Sequence, residues 1–224
     1  MRILSYIIFL LIINILFLSC KKSNEGVIRY NITYEQSKAD NPLINLMPTS
    51  MDFYYEDQKI LSQIEGWMGI FKSIQLSDLE DSTNVLMVKL LDKKYYHVRQ
   101  LSEDPLDFEK LDIKRLVFSD NDTIYKGYQC KKVQVVMNDS AKTIYNMLYT
   151  NDINIPKPNR NNPFSDVPGV LMRFNMKIKG IKLHLDFEEA RDTTFPQGTF
   201  TIPADYKKVS REKLSDFFNE LNAI

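Results

Sequence analysis

Two histidines, one interior cysteine and one acidic triplet are the side chains of this 224-residue chain whose types could do chemistry. A histidine-based hydrolase or transferase needs a nucleophile within reach of the ring and an acid that orients it. His97 alternates with Tyr96 and Val98, and His184 falls on the polar side of a second alternating stretch. Neither has a nucleophile or an orienting acid at a readable spacing, so both read as surface imidazoles. Cys130 shares a strand with Tyr128, where a thiol serves as a small buried hydrophobe unless its surroundings lower its pKa. Asp120-Asn121-Asp122 offers the oxygens that calcium takes but lacks the glycine and the distant glutamate of a calcium loop, and reads as an Asx turn. The expectation is a protein that is not an enzyme and holds neither metal nor cofactor.

The remaining cysteine sits where processing chemistry applies. Arg2 precedes a run from Ile3 to Phe17 that only Ser5 and Asn14 interrupt, too short to span a bilayer comfortably, so residues 1–19 read as a signal peptide. The run closes on Phe17-Leu18-Ser19-Cys20, which resembles the bacterial lipobox, whose cysteine is lipidated and becomes the new N-terminus. Each buried methylene is worth about 0.8 kcal/mol and stable anchoring takes at least two chains. The expected first partner is therefore a membrane, held through lipid on Cys20 and not crossed. Residues 20–26 form a polar tether that reaches about 20 Å at most. Lys21 and Lys22 stand where an aspartate retains enteric lipoproteins in the inner membrane, so the outer membrane is expected, its periplasmic and outer faces both remaining open. Once Cys20 carries lipid, Cys130 has no partner for an intramolecular disulfide. Basic and acidic residues both number 29, and losing Arg2 leaves the mature chain one charge negative, which gives no reason to expect nucleic acid.

Residues 27–224 read as one mainly β domain. Ile28, Tyr30, Ile32 and Tyr34 alternate with polar neighbours. A short helix is expected between Asp40 and Pro48, followed by strands over 51–56, 59–66 and 69–75 and a pair over 84–91 and 95–101. Strands over 114–119, 123–126, 128–137 and 142–150 come next. Within 128–137 the apolar phase slips from even to odd positions, which predicts a bulge near Lys131-Lys132. Val170 to Phe187 reads as a hairpin about Lys179-Gly180. That register sets Ile178 against Ile181, Met176 against Leu183, Phe174 against Leu185 and Met172 against Phe187, while Lys177, Asn175 and Arg173 oppose Lys182, His184 and Asp186. A loop from Ile155 to Gly169 carries four prolines, a short strand is expected over 200–203, and Ser210 caps a helix over 210–222 whose Leu214, Phe217, Phe218 and Leu221 share one face.

Three stretches in order carry a family resemblance. Ile124-Tyr125-Lys126-Gly127-Tyr128-Gln129-Cys130-Lys131-Lys132 resembles the I-x-G-Y-x-C-x-K segment of the GLPGLI family of Bacteroidota envelope proteins, and Tyr149-Thr150-Asn151-Asp152-Ile153 is similar to the strand after it. Val167-Pro168-Gly169-Val170-Leu171 is similar to the motif that names the family, with valine for the first leucine and Val-Leu for its last two residues. The resemblance covers about half of the mature chain. It implies a curved antiparallel half-barrel around a few helices, like the lipoprotein carriers LolA and LolB, which hold acyl chains in an apolar concavity. No catalytic residue comes with it. On such a sheet Met137, Met147, Met172 and Met176 would line the hollow with Phe174, Leu183, Leu185 and Phe187. The proline-rich loop and the helix with Leu214, Phe217, Phe218 and Leu221 would cover it. Two readings stay open: a hollow that takes a lipid or the acyl chain of another lipoprotein, and a filled core whose outer surface docks an envelope protein.

Overall fold

The computed structural model describes residues 24–36, 44, 47–66, 69–100, 106, 111–178 and 181–222. Its frame is one open, curved sheet of twelve strands in the order β12-β6-β5-β4-β3-β2-β1-β11-β10-β9-β8-β7. The strands are β1 (Glu25–Tyr34), β2 (Ser50–Glu56), β3 (Lys59–Glu65), β4 (Phe71–Asp78), β5 (Thr83–Leu90), β6 (Lys93–Gln100), β7 (Ile113–Tyr125), β8 (Tyr128–Met137), β9 (Ile144–Thr150), β10 (Val170–Ile178), β11 (Ile181–Asp192) and β12 (Lys207–Lys208). Only the short β12 runs parallel to its neighbour, β6. The helix α1 (Arg211–Asn222) ends the described chain, with the Ser210 hydroxyl accepting from the Lys213 amide at 3.3 Å as an N-cap.

The hairpin of β10 and β11 has the expected register, Arg173 against Asp186 through Ile178 against Ile181. Its turn, Lys179-Gly180, lies outside the described residues, as do the signal peptide, Cys20 and most of the helix expected after Asp40. Three expectations are corrected. The segments over 114–119 and 123–126 are one continuous strand, β7, and Asp120-Asn121-Asp122 lies within it, where the Ser119 hydroxyl accepts from the Asn121 amide at 3.2 Å. The irregularity opposite Lys131-Lys132 exists, but its extra residues belong to β7, between Phe118 and Asp122, while β8 keeps an unbroken register with β9. Residues 200–203 form no strand; Phe200 and Ile202 pack instead against the back of the sheet.

Following single rows across the ladder shows which residues share a face. Ile28, Phe53, Ser62, Gln75, Leu86 and His97 lie opposite one another in turn and mark the inner face. Val27, Tyr54, Leu61, Leu76, Val85 and Val98 mark the outer one. The inner face of β1, β10 and β11 joins β8 and β9 in the main apolar cluster. Leu86 and Val88 form a second inner cluster under α1. On the outer face, Leu61, Ile74, Leu76, Val85 and Met87 are covered by Phe195, Phe200, Ile202 and Tyr206. Between the two inner clusters the inward column of β4 is polar: Ser73, Gln75 and Ser77 are all buried there.

Candidate functional site

The residues that alternation assigns to the lining are brought together. Met147, Met172, Phe174, Met176, Leu183, Leu185 and Phe187 are buried in the main cluster, and Met137 is half-buried at its margin. Tyr30 organises the centre: its ring stands edge-on to Phe174 and Phe187 at 5.8 and 6.3 Å, and its hydroxyl donates to the Leu171 carbonyl at 2.9 Å. Tyr128 adds a further edge contact to Phe187 at 5.3 Å. Burial raises the Tyr30 phenol pKa, so this hydroxyl stays a neutral donor. The face is thus packed as a core, with aromatic rings in favourable edge geometry and flexible methionines between them.

Of the two expected covers, only the loop closes over these residues. Residues 151–169 leave β9 and return to β10, placing Ile155, Phe164 and Val167 within the main cluster, with Phe164 edge-on to Phe174 at 6.4 Å. Asn159 holds the loop in shape by donating to the carbonyls of Val167 and Gly169, both at 2.8 Å. At its far side Arg160 donates to the carbonyls of Gln58 and Ser77 at 3.1 and 3.2 Å. Asn161 donates to the Ser77 hydroxyl and accepts from Asn84. The helix, by contrast, seats Leu214, Phe217 and Phe218 on Leu86, Val88 and Tyr95, across the polar column of β4 from the lining residues. The side chain of Leu221 lies outside the described residues. Nothing in the run Asn159-Arg160-Asn161-Asn162 advertised these contacts, because four polar residues among prolines read only as part of a long loop.

At the margin of the main cluster there is a cleft of about 230 Å³ lined by Leu111, Met137, Tyr145 and Met176, with Glu35, Asp112, Lys177 and Lys182 also on its walls. It is the place where two of the expected lining residues, Met137 and Met176, meet open space. Lys182 pairs with Glu35 there at 3.4 Å. The opposite side of the hairpin is polar, as its register requires. Arg173 pairs with Asp186 at 3.2 Å and stacks over the Tyr125 ring at 4.6 Å, Tyr125 donates to Asp186, and His184 Nδ1 lies 2.6 Å from Asn175 Oδ1.

The chemically capable residues stay apart. Cys130 is fully buried, its sulfur 3.6 Å from the Tyr128 carbonyl, and burial pushes its thiol pKa up, away from the reactive thiolate. His97 is half-buried with Nδ1 3.1 Å from the Val209 carbonyl, so it tethers the start of α1 and is not the free surface ring its alternation suggested. Among the described residues no three His, Cys, Asp or Glu side chains converge as metal ligands do.

No protein-family model matches this chain. No curated protein sequence matches it either. Among solved structures, PNGF-II in a C2 crystal form is similar over 88% of this chain with a TM-score of 0.55 at 11% identity. The match covers 33% of that protein, so this chain spans about a third of its length. At this identity the likeness is one of fold. LprF from Mycobacterium bovis matches 77% of this chain and 89% of its own with a TM-score of 0.28 and 9% identity. A domain described as an outer membrane lipoprotein-sorting protein from Vibrio parahaemolyticus matches 79% and 88% with a TM-score of 0.23 and 9% identity. These last two superpose too loosely to add to the argument.

Proposed function

We propose that this chain is a lipid-anchored, non-catalytic protein of the cell envelope that binds a lipid or lipoprotein acyl chain against its inner face, with the loop over 151–169 as the displaceable cover. It belongs on this reading with the GLPGLI-like envelope proteins, held to the outer membrane through Cys20. The observation that supports it is that a face of methionines and aromatic rings is closed by an irregular loop, where a second sheet or a helix would make a permanent core. The magnitudes allow exchange. Lifting the loop exposes Ile155, Phe164 and Val167, at roughly 1.5 to 3 kcal/mol for each side chain. An acyl chain of about sixteen carbons that would otherwise meet water recovers about 0.8 kcal/mol per buried methylene, about 12 kcal/mol in all, which exceeds that cost. The methionines can repack around a chain because their thioethers adopt many rotamers.

Native mass spectrometry of the mature domain, made without Cys20 and purified from its own envelope, tests this. A co-purifying species with a lipid mass, lost from a Met172→Asp variant, is the expected result; a bare polypeptide mass under gentle activation would sink the proposal. The rival, a lipoprotein that docks a protein partner, draws on one feature. The edge strand β7 exposes Val117, Phe118 and Ile124. Crosslinking in intact cells that joins β7 to a partner protein, with no lipid in the native mass, would favour it.

A further inference from the structure

We propose that Arg160 and Asn161 are a polar latch that sets how often the loop over 151–169 opens, an inference whose functional consequence rests on the apolar-ligand reading above. The loop is folded upon itself and can move as a body. Besides the two bonds from Asn159, the Asn162 amide nitrogen Nδ2 donates to Asn159 Oδ1 at 3.3 Å, and the Phe164 amide donates to Asn162 Oδ1 at 2.8 Å. Its ends stay fixed in β9 and β10, whereas its far side reaches the opposite half of the sheet through side chains of residues 160 and 161. Their partners Ser77 and Asn84 face each other across β4 and β5 and are buried at 0 and 1% exposure. A polar column on an inward face is otherwise costly, and this landing point accounts for its end.

The attachment is incompletely satisfied. Arg160 Nε and Asn84 Oδ1 are both buried without a hydrogen-bond partner. Opening returns the guanidinium and both amides to water, which replaces every bond they lose, so the polar contacts hold the loop by far less than their number suggests. Phe164 and its apolar neighbours supply most of the adhesion; Arg160 and Asn161 add the smaller part that sets how often the loop lifts.

Hydrogen exchange on the lipidated protein in phospholipid nanodiscs reads the latch directly. In Arg160→Met and in Asn161→Ala, exchange over 153–168 is expected to quicken at least tenfold while β10 and β11 keep their protection. Unchanged exchange in the loop of both variants overturns the latch, and so does a parallel loss across the whole sheet. Nanodiscs that carry a diazirine-bearing palmitoyl phospholipid separate the two ideas: labelling of residues 170–187 should rise severalfold in the variants. Faster loop exchange without that labelling removes the ligand reading and leaves the latch standing.

Discussion

Gly169 shows how much a single residue can be committed to. A β-carbon there would lie 2.3 Å from the Thr150 carbonyl oxygen and 2.6 Å from Asn151 Oδ1, so the glycine of Val167-Pro168-Gly169 is required by the close approach of the loop's end to β9. Its own carbonyl is occupied by Asn159. Gly169→Ala should therefore cost about 1 to 3 kcal/mol by overpacking, read as a lower urea midpoint at unchanged slope. An unaltered midpoint would mean that β9 gives way freely. Cys130 is committed differently. With the thiol fully buried and its pKa raised chiefly by desolvation, folded protein at pH 8 should resist iodoacetamide and react stoichiometrically only in denaturant. Rapid alkylation of the native state would place the sulfur at a surface. The buried thiol was legible from its place beside Tyr128 on a strand. The role of His97 was not, since its partner is a backbone carbonyl more than a hundred residues away.

Among elements, what could be read depended on whether one strand pair held all the information. The β10–β11 hairpin did, because its apolar and polar pairings agree on one register. The phase slip in β8 was visible, yet a single strand cannot say which member of a pair carries the extra residues, and here β7 does. Strand β4 was ambiguous in another way. Ile74 and Leu76 alternate with Ser73, Gln75 and Ser77, but alternation does not say which side of the sheet the apolar set faces. They turn outward, to Phe200 and its neighbours, and this leaves the polar set between the two inner clusters. That inversion separates α1 from the lining residues, against the expectation that the helix covers them. Two variants should express the separation. Ser210→Ala should lower stability by about 1 kcal/mol through loss of the N-cap. Leu214→Ala should lower it by about 2 to 5 kcal/mol and speed exchange in α1 and β6 while the loop over 151–169 keeps its protection. Loosening of that loop by Leu214→Ala would show the two clusters to be one.

At the scale of the whole molecule, tyrosines knit the open sheet to what covers it, and this gives the fold a definite alkaline limit. Tyr30 and Tyr34 lie in and beside the main cluster, Tyr34 donating to the Pro48 carbonyl at 2.6 Å, while Tyr54 and Tyr206 pack against the outer cluster. Burial is the leading cause that raises the pKa of each above the ordinary 10.0. An acid whose folded pKa is raised holds its proton more tightly in the native state, so its contribution is complete below pH 10 and declines as pH climbs from there toward the folded value. Arg160 acts in the opposite sense, since burial lowers its pKa to about 10 and the unfolded chain then binds the extra proton above that pH. One arginine does not offset four tyrosines whose shifts run the other way. The urea midpoint should thus stay level from pH 7 to 9 and fall steeply above pH 10, with tyrosinate absorbance in the native state lagging behind that of the denatured chain. Tyr30→Phe should soften the fall, at a cost near neutrality of about 0.5 to 1.5 kcal/mol for the bond to Leu171. A midpoint that holds level through pH 11 would mean these phenols reach water in the folded protein, and the closed inner face would have to be abandoned with them.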